Sequence, residues 1–546
     1  MLIKNNIQTI TGAKSVINTL KSLGVNTIFG YPGGIVLDLY DELYNQKDIR
    51  HILVRHEQAA VHAAEGYARA TGKCGVVLVT SGPGATNTVT GIVNAYHDGY
   101  PLIIMTGQVD KNLIGKNAFQ EANICEITRS CTKAVFQITD AKNIQKTIIK
   151  AHKIATSGKQ GPVVIDMAKN IFTENTAYEE NIQAKDFNVT SIIDTDIERI
   201  YNRLINSERP VIITGGGVNH SACYQELEQF VTNYNIPVVS TMMGLGAVER
   251  KNPLYFGMVG IFGDKSANEI LKQSDLIISL GARFNDRITC TFKNDELRDK
   301  IIQIEINPEE IANNIKPKDY IIGDIKDFLS KMNSLNASIF KEKFTDYNLS
   351  VKNLKCLNKP SKKQTNMLHS FEIMQKLQEF TKDKNVIFTS EVGQHQLWAV
   401  KELSFNPNRK IFVSGGSGTM GFGLPAAIGA SIAMPDKTVV CITGDGSFQM
   451  SLSELSVCKD FGLNIKIIIL NNGYLGMVRQ LQQNNFGERY SQTKISNPNF
   501  VQLAQSFGID AIKVNNSNDI ENAFEKAFKS IGTYIIDCET EPMETV

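Results

Sequence analysis

At 546 residues the chain is too long for a single hydrophobic core and predicts three domains of ordinary size. Its 57 basic and 56 acidic residues nearly cancel, which leaves no electrostatic footprint for nucleic acid or for an anionic membrane. Nine cysteines without a CxxC pair, the closest being Cys125 and Cys131, argue against a zinc site or a disulfide framework and predict reduced, buried thiols. No apolar run reaches the roughly 18 residues of a membrane span, and residues 1–10 are too short and polar for a signal peptide, so a soluble protein without a targeting peptide is expected.

Up to about Ala177, short apolar strands alternate with helix-forming segments, as a parallel α/β sheet requires. Residues 26–30 (NTIFG) run into Tyr31-Pro32-Gly33-Gly34, and residues 75–80 (GVVLVT) run into Ser81-Gly82-Pro83-Gly84-Ala85-Thr86-Asn87. Glycine turns at strand ends are where α/β folds bind ligands. The second turn has no GK[ST], so it predicts close backbone approach to a flat ring and not a nucleotide phosphate cradle. Between the two, Arg55-His56-Glu57-Gln58-Ala59-Ala60 opens a helix with Glu57 in its first turn, where a negative charge is favoured in any helix. A loop at residues 114–121 (IGKNAFQE) and a strand at residues 161–166 (GPVVID), ending near Lys169, complete this region.

A polar stretch at residues 174–185 predicts a linker, and a second α/β region follows to about Leu335. There, residues 210–214 (PVIIT) enter Gly215-Gly216-Gly217, without a further glycine at the spacing of a dinucleotide fingerprint, so the turn alone has weak nucleotide specificity. The strand-then-turn pattern repeats at residues 276–280 (LIISL) with Gly281-Ala282-Arg283-Phe284, and at residues 301–306 (IIQIEI) with Asn307-Pro308-Glu309-Glu310.

A second linker, rich in Lys and Asn, is expected from about Asn336 to Thr365. The third α/β region carries Val392-Gly393-Gln394-His395 after a strand at residues 386–389, and then Gly415-Gly416-Ser417-Gly418-Thr419-Met420-Gly421. By themselves a histidine at a strand end is a hydrogen-bonded structural residue and a methionine among glycines fills a core. The stretch the chain is built around comes next. Residues 438–443 (TVVCIT) form a β-branched strand that Gly444-Asp445-Gly446-Ser447 ends in a tight turn, presenting Asp445 at the strand's carboxyl end. Residues 465–470 (IKIIIL) form a neighbouring strand from which Asn472 emerges, 27 positions after Asp445, a separation that suits one strand-helix-strand crossover. An acid, an amide and a loop carbonyl are hard oxygen ligands of the kind Mg²⁺ accepts while leaving positions open for phosphates and water. The stretch predicts a metal bridge to a diphosphate.

The spacing from Gly444-Asp445-Gly446 to Asn471-Asn472 is that of thiamine-diphosphate enzymes, and from Thr11 to about Asp537 the chain resembles one branch of that family, the acetohydroxyacid synthase (acetolactate synthase) catalytic subunits. The resemblance implies three doubly wound parallel α/β domains: 1–177 for the thiamine pyrimidine, 186–335 for FAD, and 366–546 for the diphosphate and Mg²⁺. It implies that Glu57 activates the cofactor by sharing a proton with N1′ of the aminopyrimidine, in a dry pocket that raises its pKa. Phe119 and Gln120 would face the reacting carbon, Lys169 the channel, and Met420 would wedge thiamine into the bent shape that brings its imino nitrogen to C2.

Pro83, Asn87, Val392, Gly393, Gln394, His395, Gly418, Gly444, Gly446, Ser447, Gly476 and Met477 complete the implied thiamine diphosphate contacts, with Asp445, Asn472 and Tyr474 on the metal. The implied flavin contacts are Lys159, Gly215, Gly216, Gly217, Gly260, Gly263, Gly281, Ala282, Arg283, Arg287, Glu305, Ile306, Gly323 and Asp324, for an FAD whose role in this family is structural.

The chain departs from the pattern at Asp110 (usually Pro), Lys159 (usually Arg), Ala168 (usually Pro), Ile261-Phe262 (usually Met-His), Glu391 (usually Asp) and Leu481 (usually Trp). Leu481 stands where the family's wall favours 2-oxobutyrate, so a lower preference for that substrate is expected. Pyruvate and 2-oxobutyrate as substrates, a homodimer or larger assembly with sites across its interface, and a small regulatory subunit are the implied partners. Bacterial cytoplasm and plastid stroma both suit the Asn-, Lys- and Ile-rich composition. Pyruvate oxidase, glyoxylate carboligase and a non-catalytic FAD-binding relative stay open as alternatives, although glyoxylate carboligase lacks the glutamate that Glu57 supplies here.

Overall fold

The computed structural model describes residues 7–180, 191–290, 297–358 and 365–546. The expected domain start at residue 186 and part of each expected linker lie outside the described residues. In the first domain β1 (Ile7–Thr11) is followed by β2 (Thr27–Tyr31), β3 (Arg50–Leu53), β4 (Gly75–Val79), β5 (Leu102–Gln108), β6 (Ala134–Ile138), β7 (Pro162–Ala168) and β8 (Asn175–Glu179). The middle domain contains β9 (Pro210–Thr214), β10 (Val238–Ser240), β11 (Tyr255–Met258), β12 (Leu276–Leu280), β13 (Ile301–Glu305) and β14 (Asp319–Ile322). The third holds β15 (Val386–Ser390), β16 (Ile411–Val413), β17 (Thr438–Gly444), β18 (Ile465–Asn471), β19 (Asp510–Val514) and β20 (Tyr534–Glu539).

Each domain has one six-stranded sheet, in the orders β3-β2-β4-β5-β7-β6, β11-β10-β9-β12-β13-β14 and β16-β15-β17-β18-β20-β19. Every pairing within these sheets is parallel. β4, β9 and β12 are buried along their whole length, which is why they read as unbroken apolar runs: helices cover both faces of such a sheet. Because all strands in a sheet point one way, every strand-end turn of a domain gathers at one edge, and that edge is where its polar residues converge.

Two stretches expected to be linkers are structured. Part of the first is β8, which pairs antiparallel with β1 so that Ile7 faces Glu179 and Thr11 faces Asn175. Most of the described part of the second folds as helices Ser338–Lys343 and Thr345–Val351 and a 3-10 segment, Lys352–Leu357. Phe340, Phe344, Tyr347 and Val351 recur at helical spacing and are buried in the middle domain's cores, an apolar stripe that the surrounding Lys and Asn obscure.

The first and third domains share a core. Helix Glu57–Thr71 crosses helix Gly423–Ala433, and Ala60, Ala63 and Ala64 join Ala427, Ala430 and Phe448 in one apolar cluster. At the crossing the backbones touch. A Cβ on Gly66 would overlap the Ala426 carbonyl, and one on Gly429 would overlap that of Ala63.

Candidate active site

The first group of site residues lies at the carboxyl edge of the first sheet. Glu57 begins helix Glu57–Thr71, whose N-cap is His56, with the ring Nδ1 accepting from the Gln58 amide at 3.1 Å. The Glu57 side chain is half-buried, and Asn87 Nδ2 donates to its Oε2 at 2.9 Å. Its Oε1 lies against Gly84, where a Cβ would come within 3.5 Å. Gly82 has φ +57°, and a Cβ there would stand 2.8 Å from the Gln120 carbonyl oxygen, so the turn after β4 and the loop after β5 are in contact. That loop is strained: Asn117 and Gln120 have φ of +54° and +59°, a conformation that in non-glycine residues gathers at functional sites. Glu121 ties the loop to itself through the amides of Gly115 and Ala118. The structure thus brings Glu57, Pro83, Asn87 and Gln120 together. Phe119, 88% exposed, and Lys169, also exposed, stand at the rim.

The second group occupies the matching edge of the third sheet, on the two neighbouring strands that the spacing predicts. β17 ends at Gly444 and its neighbour β18 at Asn471, so Asp445 and Asn472 leave adjacent parallel strands. Asp445 is 2% exposed, with Oδ2 accepting from the Gly473 amide at 2.8 Å and from Asn497 Nδ2 at 2.7 Å. Burial pushes its carboxyl up, while Asn497 and the Gly473 and Gly446 amides pull it down. Among the described residues no cationic side chain pairs with it. A buried carboxylate held only by neutral donors, next to the Asn472 amide, suits a divalent cation.

Around this point, a Cβ on Gly444 would meet His395 Nδ1 at 2.9 Å, and one on Gly446 would lie 3.8 Å from Met420 Cε. Gly418 stands against Val392, and Gly476 is pressed between Gln394 and Asn472. Val392, Gly393, Gln394, His395, Gly418, Met420, Gly444, Gly446, Ser447, Asn472, Tyr474, Gly476 and Met477 therefore surround one carboxyl edge. Leu481, on helix Gly476–Asn485, is 42% exposed beyond it. Burial lowers His395 to about 3, so its ring is neutral, and its Nε2 lies 3.5 Å from Glu391 without a hydrogen bond.

Several positioning residues escaped the sequence reading. Asn497, which also donates to Asn471 Oδ1 at 2.8 Å, fixes Asp445 from the far side of the turn. Glu391, left without a role, accepts from the Gly423 amide at 2.7 Å and from the Thr443 hydroxyl, tying the end of β15 to β17 and to the turn after Met420. Burial pushes its acid up to about 7 against those bonds. The Met420 loop is also held from the first domain: Asp98 accepts from the Gly415 and Gly416 amides at 3.1 and 2.7 Å, and Asn94 Oδ1 accepts from the hydroxyls of Ser414 and Thr419 at 2.5 and 2.9 Å. Arg69 pairs with both Asp98 and Glu65 at 2.5 Å in the buried interior.

In the middle domain the predicted flavin residues collect at the carboxyl edge. Counted along that domain the strands run third, second, first, fourth, fifth, sixth, so the switch point falls between β9 and β12, where α/β sheets bind dinucleotides. Gly215 and Gly217 meet Gly281 there with no room for a Cβ, and Ala282 and Arg283 follow. Gly260 and Gly263 likewise pack on the chain itself, against Arg287 and Met258. Glu305 ends β13 with Ile306 next to it, and Gly323 and Asp324 follow β14. Glu305 is buried and its acid is raised by that burial, with Oε1 accepting from the Ile306 and Asn307 amides at 3.0 and 3.2 Å. Lys159 reaches Glu310 across the domain boundary at 2.5 Å, while Ile261 is 51% exposed. The buried acid at the end of β13 and the tight glycine turns at the switch point fit a dinucleotide.

Residues 10–127 match the N-terminal TPP binding domain of thiamine pyrophosphate enzymes, residues 197–332 the central domain and residues 391–538 the C-terminal TPP binding domain. The fold and the three matched domains are those of a thiamine-diphosphate-dependent enzyme. The chain is 40% identical over 531 residues to the acetolactate synthase large subunit of Haemophilus influenzae, spanning 95% of this chain and 92% of the relative. It is 41% identical over 519 residues to that of Lactococcus lactis, spanning 93% and 88%, and 38% identical over 538 residues to the acetolactate synthase isozyme 3 large subunit of Escherichia coli, spanning 96% and 93%. The chain belongs to the acetolactate synthase large-subunit family. Among the described residues no helix is long and apolar enough to cross a membrane.

Proposed function

We propose that the chain catalyses the first common step of branched-chain amino acid biosynthesis, decarboxylating pyruvate and joining its two-carbon unit to a second 2-oxo acid. Pyruvate as that acid gives 2-acetolactate and 2-oxobutyrate gives 2-aceto-2-hydroxybutyrate. The observation that carries the reading is the pairing of two carboxyl-edge groups, one with Glu57 held by Asn87 and the other with buried Asp445 beside Asn472. Bound thiamine supplies the carbanion chemistry that lets carbon dioxide leave. The chain's own residues do the rest. Glu57, fixed through Oε2, keeps Oε1 for a proton shared with the aminopyrimidine. Asp445, Asn472 and the Tyr474 carbonyl would hold Mg²⁺, which would supply the charge that anchors a diphosphate. Met420, on a loop held by Asp98 and Asn94, would support the cofactor from below, and Gln120 and Phe119 would border the second substrate.

The middle domain's carboxyl edge would hold FAD as a structural group, with Arg283, Arg287 and Lys159 as the cations available to its phosphates. A second copy of the chain completes each site. A small regulatory subunit binds the large one, as the relatives' names suggest. Product analysis with pyruvate and 2-oxobutyrate, in the presence of Mg²⁺, thiamine diphosphate and FAD, tests the reading. Acetolactate and acetohydroxybutyrate with the flavin spectrum unchanged are expected; flavin reduction under pyruvate would instead indicate an oxidase. Light scattering checks the assembly, and an active monomer would refute it.

A further inference from the structure

Glu454 takes no part in any cofactor contact described above, yet it is a buried acid, 1% exposed, nine positions after Asp445 in the third domain. It ends the 3-10 turn Leu452–Glu454, and its carboxylate leaves its own domain. There it accepts from the Arg55 amide with both oxygens, at 3.0 Å to Oε1 and 3.2 Å to Oε2. Arg55 and His56 are the turn between the end of β3 and the first helical residue, Glu57. The Arg55 side chain is held as well, by the Leu53 carbonyl at 3.0 Å and by Asp460 at 2.5 Å, so the segment that closes with Glu454 and Asp460 grips the turn at two points.

A carboxylate at this depth is expensive to keep. Burial pushes Glu454 up to about 7, and the Arg55 amide, the Arg55 charge and the His56 amide pull it back. What it provides in return is a fixed origin for the helix. Glu57 stands two residues beyond the gripped amide, and the direction of its side chain follows from the turn.

We propose that Glu454 is a positioning residue for Glu57, fixing from the diphosphate-binding domain of the same chain the turn on which the activating carboxylate stands. The proposal rests on the reading of Glu57 given above. Its consequence is that the third domain contributes twice, by holding a diphosphate at Asp445 and by aiming the carboxylate of the first domain. A shift of about 1 Å in a reacting group costs on the order of 10²-fold in rate, which sets the size of the effect.

The test uses the full enzyme loaded with thiamine diphosphate and Mg²⁺, and measures the rate at which the bound thiamine exchanges its C2 proton for deuterium, by acid quench and NMR. kcat and KM for pyruvate, the cofactor dissociation constant and the melting temperature are measured alongside. Glu454→Ala is expected to lower the exchange rate and kcat together by about 10²-fold, with KM and cofactor affinity unchanged. Glu454→Gln, whose carbonyl still accepts one amide, is expected to recover most of the loss.

A folded Glu454→Ala enzyme that exchanges C2 at the wild-type rate overturns the proposal, even if it melts lower, because that is what a purely structural acid predicts. If the Ala variant does not fold, Glu454→Asp takes its place, withdrawing both oxygens by a methylene while keeping the charge; wild-type exchange in it overturns the proposal equally. Glu57→Gln is the control. If it abolishes exchange while the Glu454 variants leave it intact, only the positioning role fails; if it leaves exchange intact, the reading of Glu57 fails and the proposal with it.

Discussion

The first and third domains are the same sheet used for two kinds of chemistry. Counted along each, the strands run second, first, third, fourth, sixth, fifth, all parallel. In both, the strand-end turns gather at one edge. At that edge the first domain offers a half-buried acid on a helix start and a strained loop, whereas the third offers a buried acid between glycines and a bundle of amide donors. The difference lies in a few turn residues. On the proposed reading, one scaffold carries a proton-sharing carboxylate at Glu57 and a metal-holding one at Asp445, so fold assigns the place of a site and turn chemistry assigns its function.

The sharpest way to break that contrast is to exchange the acids for their amides one at a time. Glu57→Gln keeps the Asn87 contact but cannot hold the shared proton, and it should lower kcat by about 10²- to 10⁴-fold in a protein that still melts at the wild-type temperature. Steady-state rates together with a thermal melt check this, and activity close to wild type would remove Glu57 from the mechanism.

Asp445→Asn should behave differently. Removing a buried charge that has no cationic partner should leave the cofactor-free protein no less stable, while the stabilisation that thiamine diphosphate and Mg²⁺ give the wild type, about 2.7 kcal/mol at a hundredfold excess over Kd, should disappear. Melting curves with and without cofactor read both effects. A full cofactor-induced shift in the variant would exclude Asp445 from the metal site.

The contact that joins the two sheets is sharpened by Gly429→Ala. In an exposed helix this change gains about 1 kcal/mol, but here the new methyl would overlap the Ala63 carbonyl. Overpacking of this kind costs about 1–3 kcal/mol, so a net loss is expected, with the first and third domains undocking at a lower denaturant concentration. A more stable variant would show that the helices part without penalty.

The smallest effect is expected at the rim. Leu481 is half-exposed and offers no ring face, so Leu481→Trp should raise the share of 2-oxobutyrate product in competition with pyruvate by a factor worth about 1 kcal/mol, and should strengthen inhibition by planar sulfonylurea-type compounds. Equal product ratios in the two proteins would mean that the wall is set elsewhere.

The sequence by itself determined whatever rests on local periodicity and on turns. Buried parallel strands have to be continuous apolar runs, so β4, β9, β12, β17 and β18 were legible, and the 27 positions from Asp445 to Asn472 fixed two adjacent strands. Only the tertiary structure decided what rests on partners distant in the chain. β8 looked like a polar linker because its pairing with β1 is absent from its own composition. Helices Ser338–Lys343 and Thr345–Val351 were hidden by their charged faces and revealed by the core that their aromatic stripe enters.

The braces were the least visible. Asn497 meets Asp445 across 52 positions, Asp98 meets Gly415 across 317 and Glu454 meets Arg55 across 399. A single hydrogen bond leaves no period in the sequence, so nothing local marks such a residue, and it is the packing of the domains that brings it to its place.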